Sequence, residues 1–348
     1  METCQLRELE MNTYNDISLK PYNTFGIDVR ARNMIQYDSV KELQHIIKNR
    51  DRMMPDPVLH IGSGSNLLFL DDFPGTILLS NITHLDIVHQ DGDSITVNVG
   101  AGMVMDDFIA RCVSNGWYGL ENLSLIPGQV GASAVQNIGA YGVEVADRIV
   151  SVHCVSLQDG TLRTFANSEC SYGYRHSIFK EPGTKGNYAV VSVDYKLSKT
   201  FVPHLDYGGI RNAMQDTSVT AHNLRQTIIA IRRQKLPDPK VLGNAGSFFM
   251  NPVISRSQFS VLCQRYPDMP SYTVDDDHVK VPAGWMIEKC GWKGRSLGNA
   301  AVHDLQALVL VNRGGATGTE IKELCMAVRA AVQENFGITI NPEVNFIP

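Results

Sequence analysis

The chain has 348 residues, 43% apolar and 19% charged, with a formal net charge of -5, which is the profile of an ordinary globular protein of two or three domains. That charge argues against a broad nucleic-acid footprint, and no apolar run approaches the roughly 20 residues that cross a bilayer. Seven cysteines, scattered and never in Cys-x-x-Cys spacing, offer neither a disulfide framework nor a zinc site and fit reduced cytosolic thiols. The start of the chain, with Glu2, Arg7, Glu8 and Glu10, lacks the apolar core of a signal peptide, so a cytoplasmic location is expected.

Residues 1 to about 18 are polar and expected to be loosely held. Ser39-Val40-Lys41-Glu42 predicts a capped helix start, because the serine and glutamate can satisfy free amides of the first turn. Val40, Leu43, Ile46 and Ile47 then share one helical face. Pro55 and Pro57 end that element, and Val58-Leu59-His60-Ile61 and Thr76-Ile77-Leu78-Leu79 predict the strands of a small β-α-β unit. Between them lies Gly62-Ser63-Gly64-Ser65-Asn66. The third glycine of a dinucleotide fingerprint is missing and no amphipathic helix follows, so a Rossmann reading fails. Two readings stay open for this loop: a tight strand-end turn, or an anion-binding nest of amides freed by small residues.

A second lobe is expected from Leu85. Ile95-Thr96-Val97-Asn98-Val99 alternates like a half-buried strand, and Met105, Phe108, Ile109 and Cys112 mark a helix that stops at Gly116. The densest run of small residues follows, from Ile126-Pro127-Gly128 through Gly131 to Asn137, Gly139 and Gly142. Ile126, Val130, Val135 and Ile138 within it predict a packed backbone rather than a linker, and two readings stay open: bare amides for a cofactor pyrophosphate, or a purely structural run. Strands are expected around 148–157, 161–165 and 188–197. Between them Arg175 stands among Tyr172, Tyr174 and Phe179, either as a surface cation–π stack or as a bidentate clamp for a carboxylate. The stretch from Phe201 to Gly209, with Tyr207, lacks periodicity. A helix from near Thr220 ends in Arg232-Arg233-Gln234-Lys235, where basic residues complement the helix dipole or build an anion subsite.

A third domain is expected beyond residue 236. In Gly243-Asn244-Ala245-Gly246-Ser247-Phe248-Phe249 the backbone is nearly bare before one hydroxyl and then turns apolar. An ordinary turn is one reading and a chemical site another, but a Gly-x-Ser-x-Gly elbow would need glycine at Ala245 and Phe249. Lys293 lies in a turn, Gln306 precedes the strand-like Ala307–Val311, and Thr317 to Phe336 is the clearest helix, boxed by Thr317 and Glu320 and closed by Gly337. Asn341 to Ile347 alternates like an edge strand, on which Glu343 reads as a solvated charge.

Taken in order, Asn23-Thr24-Phe25-Gly26, Gly62 to Leu68, Ile126-Pro127-Gly128, Gln136 to Gly142, Tyr172-Gly173-Tyr174-Arg175, Gly243 to Asn251 and Pro342-Glu343-Val344 resemble the UDP-N-acetylenolpyruvoylglucosamine reductase family, flavoenzymes of peptidoglycan synthesis. The resemblance runs from about residue 20 to 347. It implies an α+β fold: a two-lobed FAD-binding domain of the vanillyl-alcohol-oxidase (PCMH-like) type plus a C-terminal α/β substrate-binding domain. The lobes would occupy 1–84 and 85–236 and the substrate domain 237–343, with a strand at 344–348 returning to the first lobe. Implied too are noncovalent FAD, NADPH as co-substrate, a UDP-linked amino-sugar enolpyruvate as substrate, no nucleic acid, no membrane insertion, no metal, and a monomer.

The same resemblance distributes roles. Arg175, Ser247 and Glu343 would be catalytic, the serine as proton donor, the glutamate hydrogen-bonded to the developing charge, the arginine on the substrate carboxylate or behind Glu343. Ile61, Gly62, Ser63, Gly64, Ser65, Asn66, Ile126, Pro127, Gly128, Gly131, Asn137, Gly139 and Arg232 would face the FAD. Tyr174, Tyr207, Lys235, Asn251, Lys293 and Gln306 would surround the UDP-sugar, as in the type I subgroup, whose tyrosine loop folds over the substrate.

Overall fold

The computed structural model describes residues 12–207 and 209–348. They fall into two compact units. The first takes the described residues up to Ile17 with Ala31–Ser63 and Pro74–Ile231; the second takes Ser18–Arg30, Gly64–Phe73 and Arg232–Pro348. The loose N-terminal stretch expected for residues 1 to about 18, with Cys4, lies outside the described residues as far as residue 11. From there Asn12–Ser18 is a strand, not a loose tail.

In the first unit one sheet runs in the order Asn12–Ser18, Arg30–Tyr37, Phe73–Ser80, Val58–Ile61. Its last two strands are parallel, Val58 opposite Thr76 and Ile61 opposite Leu79. The helix Val40–Lys48 buries Leu43, Ile46 and Ile47 among Ile35, Tyr37 and Leu78. Ser39 Oγ accepts the Glu42 amide at 3.2 Å as expected, but Glu42 reaches one residue further back than a capping box would, to the Asp38 amide at 2.8 Å.

A second, antiparallel sheet is ordered Leu162–Ala166, Ile149–Ser156, Tyr188–Ser198, Ser94–Gly100, Leu85–Gln90. Alternation sends Ile95, Val97 and Val99 inward with Val193 and Tyr195, against Phe108 and Ile109 of the helix Met105–Ser114. Thr96, Asn98 and Asp194 point the other way, into a polar lattice. There Ser151 Oγ (2.6 Å) and His153 Nε2 (2.8 Å) share Asp194 Oδ2, and Asn98 donates to Oδ1 at 2.6 Å. Burial pushes the Asp194 carboxyl up, but these hydrogen bonds outweigh it and hold the group at about 2. Since serine and histidine bind one oxygen side by side, the trio is no nucleophile relay.

His60, on the strand before Gly62, meets the Tyr37 hydroxyl at 2.6 Å, and burial lowers its pKa to about 4. The unfolded chain takes up that proton near pH 6.5, so this site costs stability as pH falls from about 6.5 to about 4, by at most about 3 kcal/mol. Denaturant unfolding at pH 7 and pH 4.5 should therefore show a smaller loss for His60→Gln than for the wild type. Equal losses would remove His60 as the cause.

In the second unit the helix Gly318–Phe336 carries the expected box: the Glu320 amide donates to Thr317 Oγ1 at 3.2 Å and the Thr317 amide to Glu320 Oε2 at 2.8 Å. Gly337 closes it at φ +65°. Its stripe of Ile321, Leu324, Cys325, Val328 and Val332 is fully buried. A four-stranded sheet is ordered Gly243–Asn244, Leu310–Asn312, Ala300–Val302, Ser296–Leu297. The strand expected over Ala307–Val311 thus starts later, because Gln306 to Val309 closes a turn in which the Val309 amide donates to Gln306 O at 3.0 Å. The helix Arg256–Arg265 and the strands Val253–Ser255, Tyr272–Thr273 and His278–Lys280 carry no strong periodic signal and were not expected.

The second unit is assembled on the backbone of Tyr22–Phe25. Asn23 donates to Leu19 O (2.8 Å) and Ile27 O (3.0 Å) and accepts the Ile27 amide (2.9 Å), which locks the segment into a tight loop. A Cβ on Gly64 would lie 2.0 Å from Tyr22 O, and one on Gly243 would lie 2.1 Å from Phe25 O. Asn312 Nδ2 then donates to Phe25 O at 3.0 Å. Finally, Asn345–Ile347 pairs in parallel with Leu67–Phe69.

Candidate active site

Ser247 lies in the second unit on an exposed connection between two anchored residues. Before it, buried Asn244 donates to Pro237 O and Leu242 O and accepts the Gly246 amide at 2.9 Å, bringing Gly246 to φ +69°. After it, Phe248 and Phe249 are buried to 0% and 1% exposure, the Phe248 ring edge-on to Phe25 at 6.1 Å. The apolar run therefore sinks the backbone and leaves the hydroxyl outside.

Phe248 is also the link to Glu343. Its carbonyl accepts the Glu343 amide at 2.8 Å, and Phe249 bridges Pro342. Asn66 Nδ2 donates to Glu343 O at 3.1 Å, while Asn66 O accepts the Asn345 amide at 3.0 Å. Asn66, from the glycine loop, is thus a clip on the Glu343 segment. The edge strand expected from Asn341 is split: residues 341–343 lie along 248–250, and only Asn345–Ile347 is regular strand.

The amide of Phe248 donates to Leu308 O at 2.8 Å, which joins the serine segment to the turn holding Gln306. Gln306 Oε1 lies 3.2 Å from where a Cβ on Gly284 would stand, and Asn251 Oδ1 accepts the neighbouring Ala283 amide at 2.9 Å. Asn251 and Gln306 thus converge on the start of the helix Ala283–Lys289. Lys293 pairs with Glu288 of that helix at 3.0 Å, and Lys235 is exposed at the end of Ala221–Lys235, just beyond Arg232. His303, which no pattern singled out, opens the Gln306 turn. Its Nδ1 is buried without a hydrogen-bond partner among the described residues, and burial keeps the ring below its ordinary pKa.

In the first unit Tyr174 and Arg175 form the tip of a tight turn, closed by reciprocal Gly173–His176 backbone bonds of 3.2 and 3.0 Å. Arg175 has φ +55°, and its Nη2 donates to Gly139 O at 2.7 Å. Its guanidinium stands 5.4 Å from the Tyr174 ring centroid, so the expected cation–π contact is present and backbone anchors add to it. Tyr207 is exposed on its irregular segment, near Gly142, where an added Cβ would lie 3.7 Å from its own.

Ile61, Gly62 and Ser63 end the strand against the first turn of the helix Val130–Gln136. A Cβ on Gly62 would stand 3.0 Å from Gln129 Oε1 and 3.3 Å from Ala132 Cβ. Contrary to the expectation of bare amides, the first amides of that turn are engaged. Val130 N donates to Met103 O at 2.9 Å and Gly131 N to Ala101 O at 3.0 Å. Gly131 is small because an added Cβ would lie 2.8 Å from Ala101 Cβ. Asn137 is the left-handed cap of the helix, with its side chain engaged by Glu144, Gly173 O and the Ala146 amide. Any contact it makes with a cofactor falls to its backbone.

Two family models match the chain: residues 32–166 the "FAD binding domain", and 238–347 the "UDP-N-acetylenolpyruvoylglucosamine reductase, C-terminal domain". The reductase of that name from Bacteroides fragilis is 56% identical over 95% of this chain and 98% of its own. The chain belongs to the UDP-N-acetylenolpyruvoylglucosamine reductase family. The Porphyromonas gingivalis reductase is 48% identical over 97% of this chain and 100% of its own. A crystal structure of the Thermus caldophilus reductase, 24% identical, matches 97% of this chain with a TM-score of 0.67 and shows the same fold. That fold has FAD-binding and C-terminal parts, as the family resemblance implied.

The first unit's residues fit a noncovalent flavin. Gly62, Ser63, Pro127 and Gly128 present short side chains or none, all at least partly exposed. Burial pushes the Cys112 and Cys154 thiols well above their ordinary range and raises Cys170, so none of these is poised as a thiolate for attachment.

Proposed function

We propose that this chain reduces the enolpyruvyl ether of UDP-N-acetylglucosamine enolpyruvate to UDP-N-acetylmuramate, with Ser247 giving the proton. As a family member it is an FAD-dependent oxidoreductase of peptidoglycan precursor synthesis. Bound FAD supplies hydride transfer from NADPH to the terminal carbon of the enol ether. The negative charge left on the substrate spreads from the carbon bearing the ether oxygen into the carboxylate, and holding that charge is what the protein accelerates most.

Ser247 Oγ–H donates its proton to that carbon, Glu343 hydrogen-bonds the enediolate, and Arg175 binds the carboxylate. A serine hydroxyl is a poor acid in water, so it works only when oriented and backed by neighbours. The observation that carries this reading is Ser247 exposed next to Phe248, whose carbonyl accepts the Glu343 amide. Tyr174, Tyr207, Lys235, Asn251, Lys293 and Gln306 hold the UDP-sugar, and the glycine loops with Arg232 hold FAD. A monomer in the cytoplasm completes the reading.

The experiment is stopped-flow absorbance of the flavin band. Adding NADPH should bleach it, and the UDP-linked enolpyruvate should then restore it without oxygen. Reduction by simple alcohols with oxygen uptake would favour an alcohol oxidase of this fold and overturn the proposal.

A further inference from the structure

We infer that Asp106 and Arg225 are a positioning pair that sets the Leu125–Gly128 loop for the flavin; this rests on the flavoenzyme reading above. Asp106 stands in the first turn of the helix Met105–Ser114 and Arg225 on Ala221–Lys235. Arg225 Nη1 donates to Asp106 Oδ1 at 2.9 Å, Nη2 to Oδ2 at 3.0 Å, and Nη2 also to the Asp106 carbonyl at 3.4 Å. The two side chains are only 11% and 23% exposed.

What they hold is a strained point of the chain. Asp106 Oδ1 also accepts the Leu125 amide at 2.6 Å, and Leu125 has φ +60°. A left-handed backbone strains a residue with a side chain, so it persists only where its surroundings impose it. At the other end of the loop the Met105 amide donates to Gly128 O at 3.0 Å. Two successive residues of one helix start therefore grip both ends of Ile126-Pro127-Gly128, and the guanidinium fixes the carboxylate that does half of the gripping. Upstream, Glu121 to Ser124 are buried, so the loop has no slack on that side.

A buried ion pair adds little net stability and is better suited to fixing a register. A mere staple would alter melting and leave the flavin indifferent. A positioning pair alters the flavin's affinity and environment. The bidentate fork is also beyond a lysine.

The test uses wild-type protein, Arg225→Met, Arg225→Lys and Asp106→Asn. FAD dissociation constants are measured by fluorescence on flavin-stripped protein, together with visible circular dichroism of bound flavin at saturation and apo-protein melting. Arg225→Met should weaken FAD at least tenfold and change the flavin signal at saturation. Arg225→Lys should recover only part of both, and Asp106→Asn, which keeps an acceptor for Leu125, should fall between. An FAD constant within twofold of wild type and an unchanged flavin signal in Arg225→Met overturn the inference, whatever melting does. Should Arg225→Met not fold, wild-type affinity and signal in Arg225→Lys and Asp106→Asn overturn it equally. A wild-type protein that binds no FAD overturns the flavoenzyme reading first.

Discussion

In Ser247→Ala, flavin reduction by NADPH is expected to stay within about twofold of wild type, while reoxidation by the enolpyruvyl substrate slows by about a thousandfold, the middle of the range for a lost proton donor. The two half-reactions separate because only the second delivers a proton to carbon. Alanine keeps the loop, since Gly246 and Asn244 shape it through their own backbone and amide contacts, and since Phe248 and Phe249 anchor the chain beyond. Ser247 is exposed, so losing its oxygen leaves no cavity. Stopped-flow traces for each half-reaction decide the matter. Reoxidation at the wild-type rate would remove Ser247 as donor; an equal slowing of both halves would make it a binding residue.

The second large effect is on folding. Gly64→Ala combines a left-handed backbone, φ +63°, with a Cβ 2.0 Å from Tyr22 O, a backbone atom that cannot swing aside. Strain of about 1–2 kcal/mol and overpacking of about 1–3 kcal/mol add to a loss of about 2–5 kcal/mol. Gly26→Ala is the matched control: it has the same φ of +63° but nothing within 4 Å of the new Cβ, so it should lose about 1–2 kcal/mol. Chemical denaturation of the three proteins measures both. Equal losses would mean that the close approach to Tyr22 is relieved by a shift of the loop and that backbone strain alone matters.

The long helix was legible because three local signals agree on it: the Thr317/Glu320 box, the buried stripe and Gly337. The helix Val130–Gln136 was not, since a run of Gly, Ala and Ser has no hydrophobic period. Tertiary contacts make it, with Gly131 against Ala101 and the first amides bonded to 101 and 103. The strand Arg30–Tyr37 escaped notice because the alternation begun by Arg-Ala-Arg is broken by the buried pair Met34-Ile35. In the site, Ser247 announced itself by bare neighbours followed by a sharp apolar turn. Glu343 did not; on local pattern it is an ordinary edge charge, and only the order of family motifs marks it. Asp106 was the least visible, because an aspartate in a first helical turn reads as a dipole complement. Its bond to Leu125, 19 positions on, is a tertiary fact.

The Tyr22–Phe25 hub has a consequence for anyone who would take the molecule apart. The contacts that hold Gly64, Gly243 and Asn312 in place are made to carbonyls near the beginning of the polypeptide, and the final strand leans on Leu67–Phe69. A fragment started at residue 237 would carry Ser247 and Glu343 but leave their scaffold behind. Modular excision of the carboxyl-terminal third is therefore ruled out by the path of the chain, and a dissected version must be supplied with the early segments as a complementing piece.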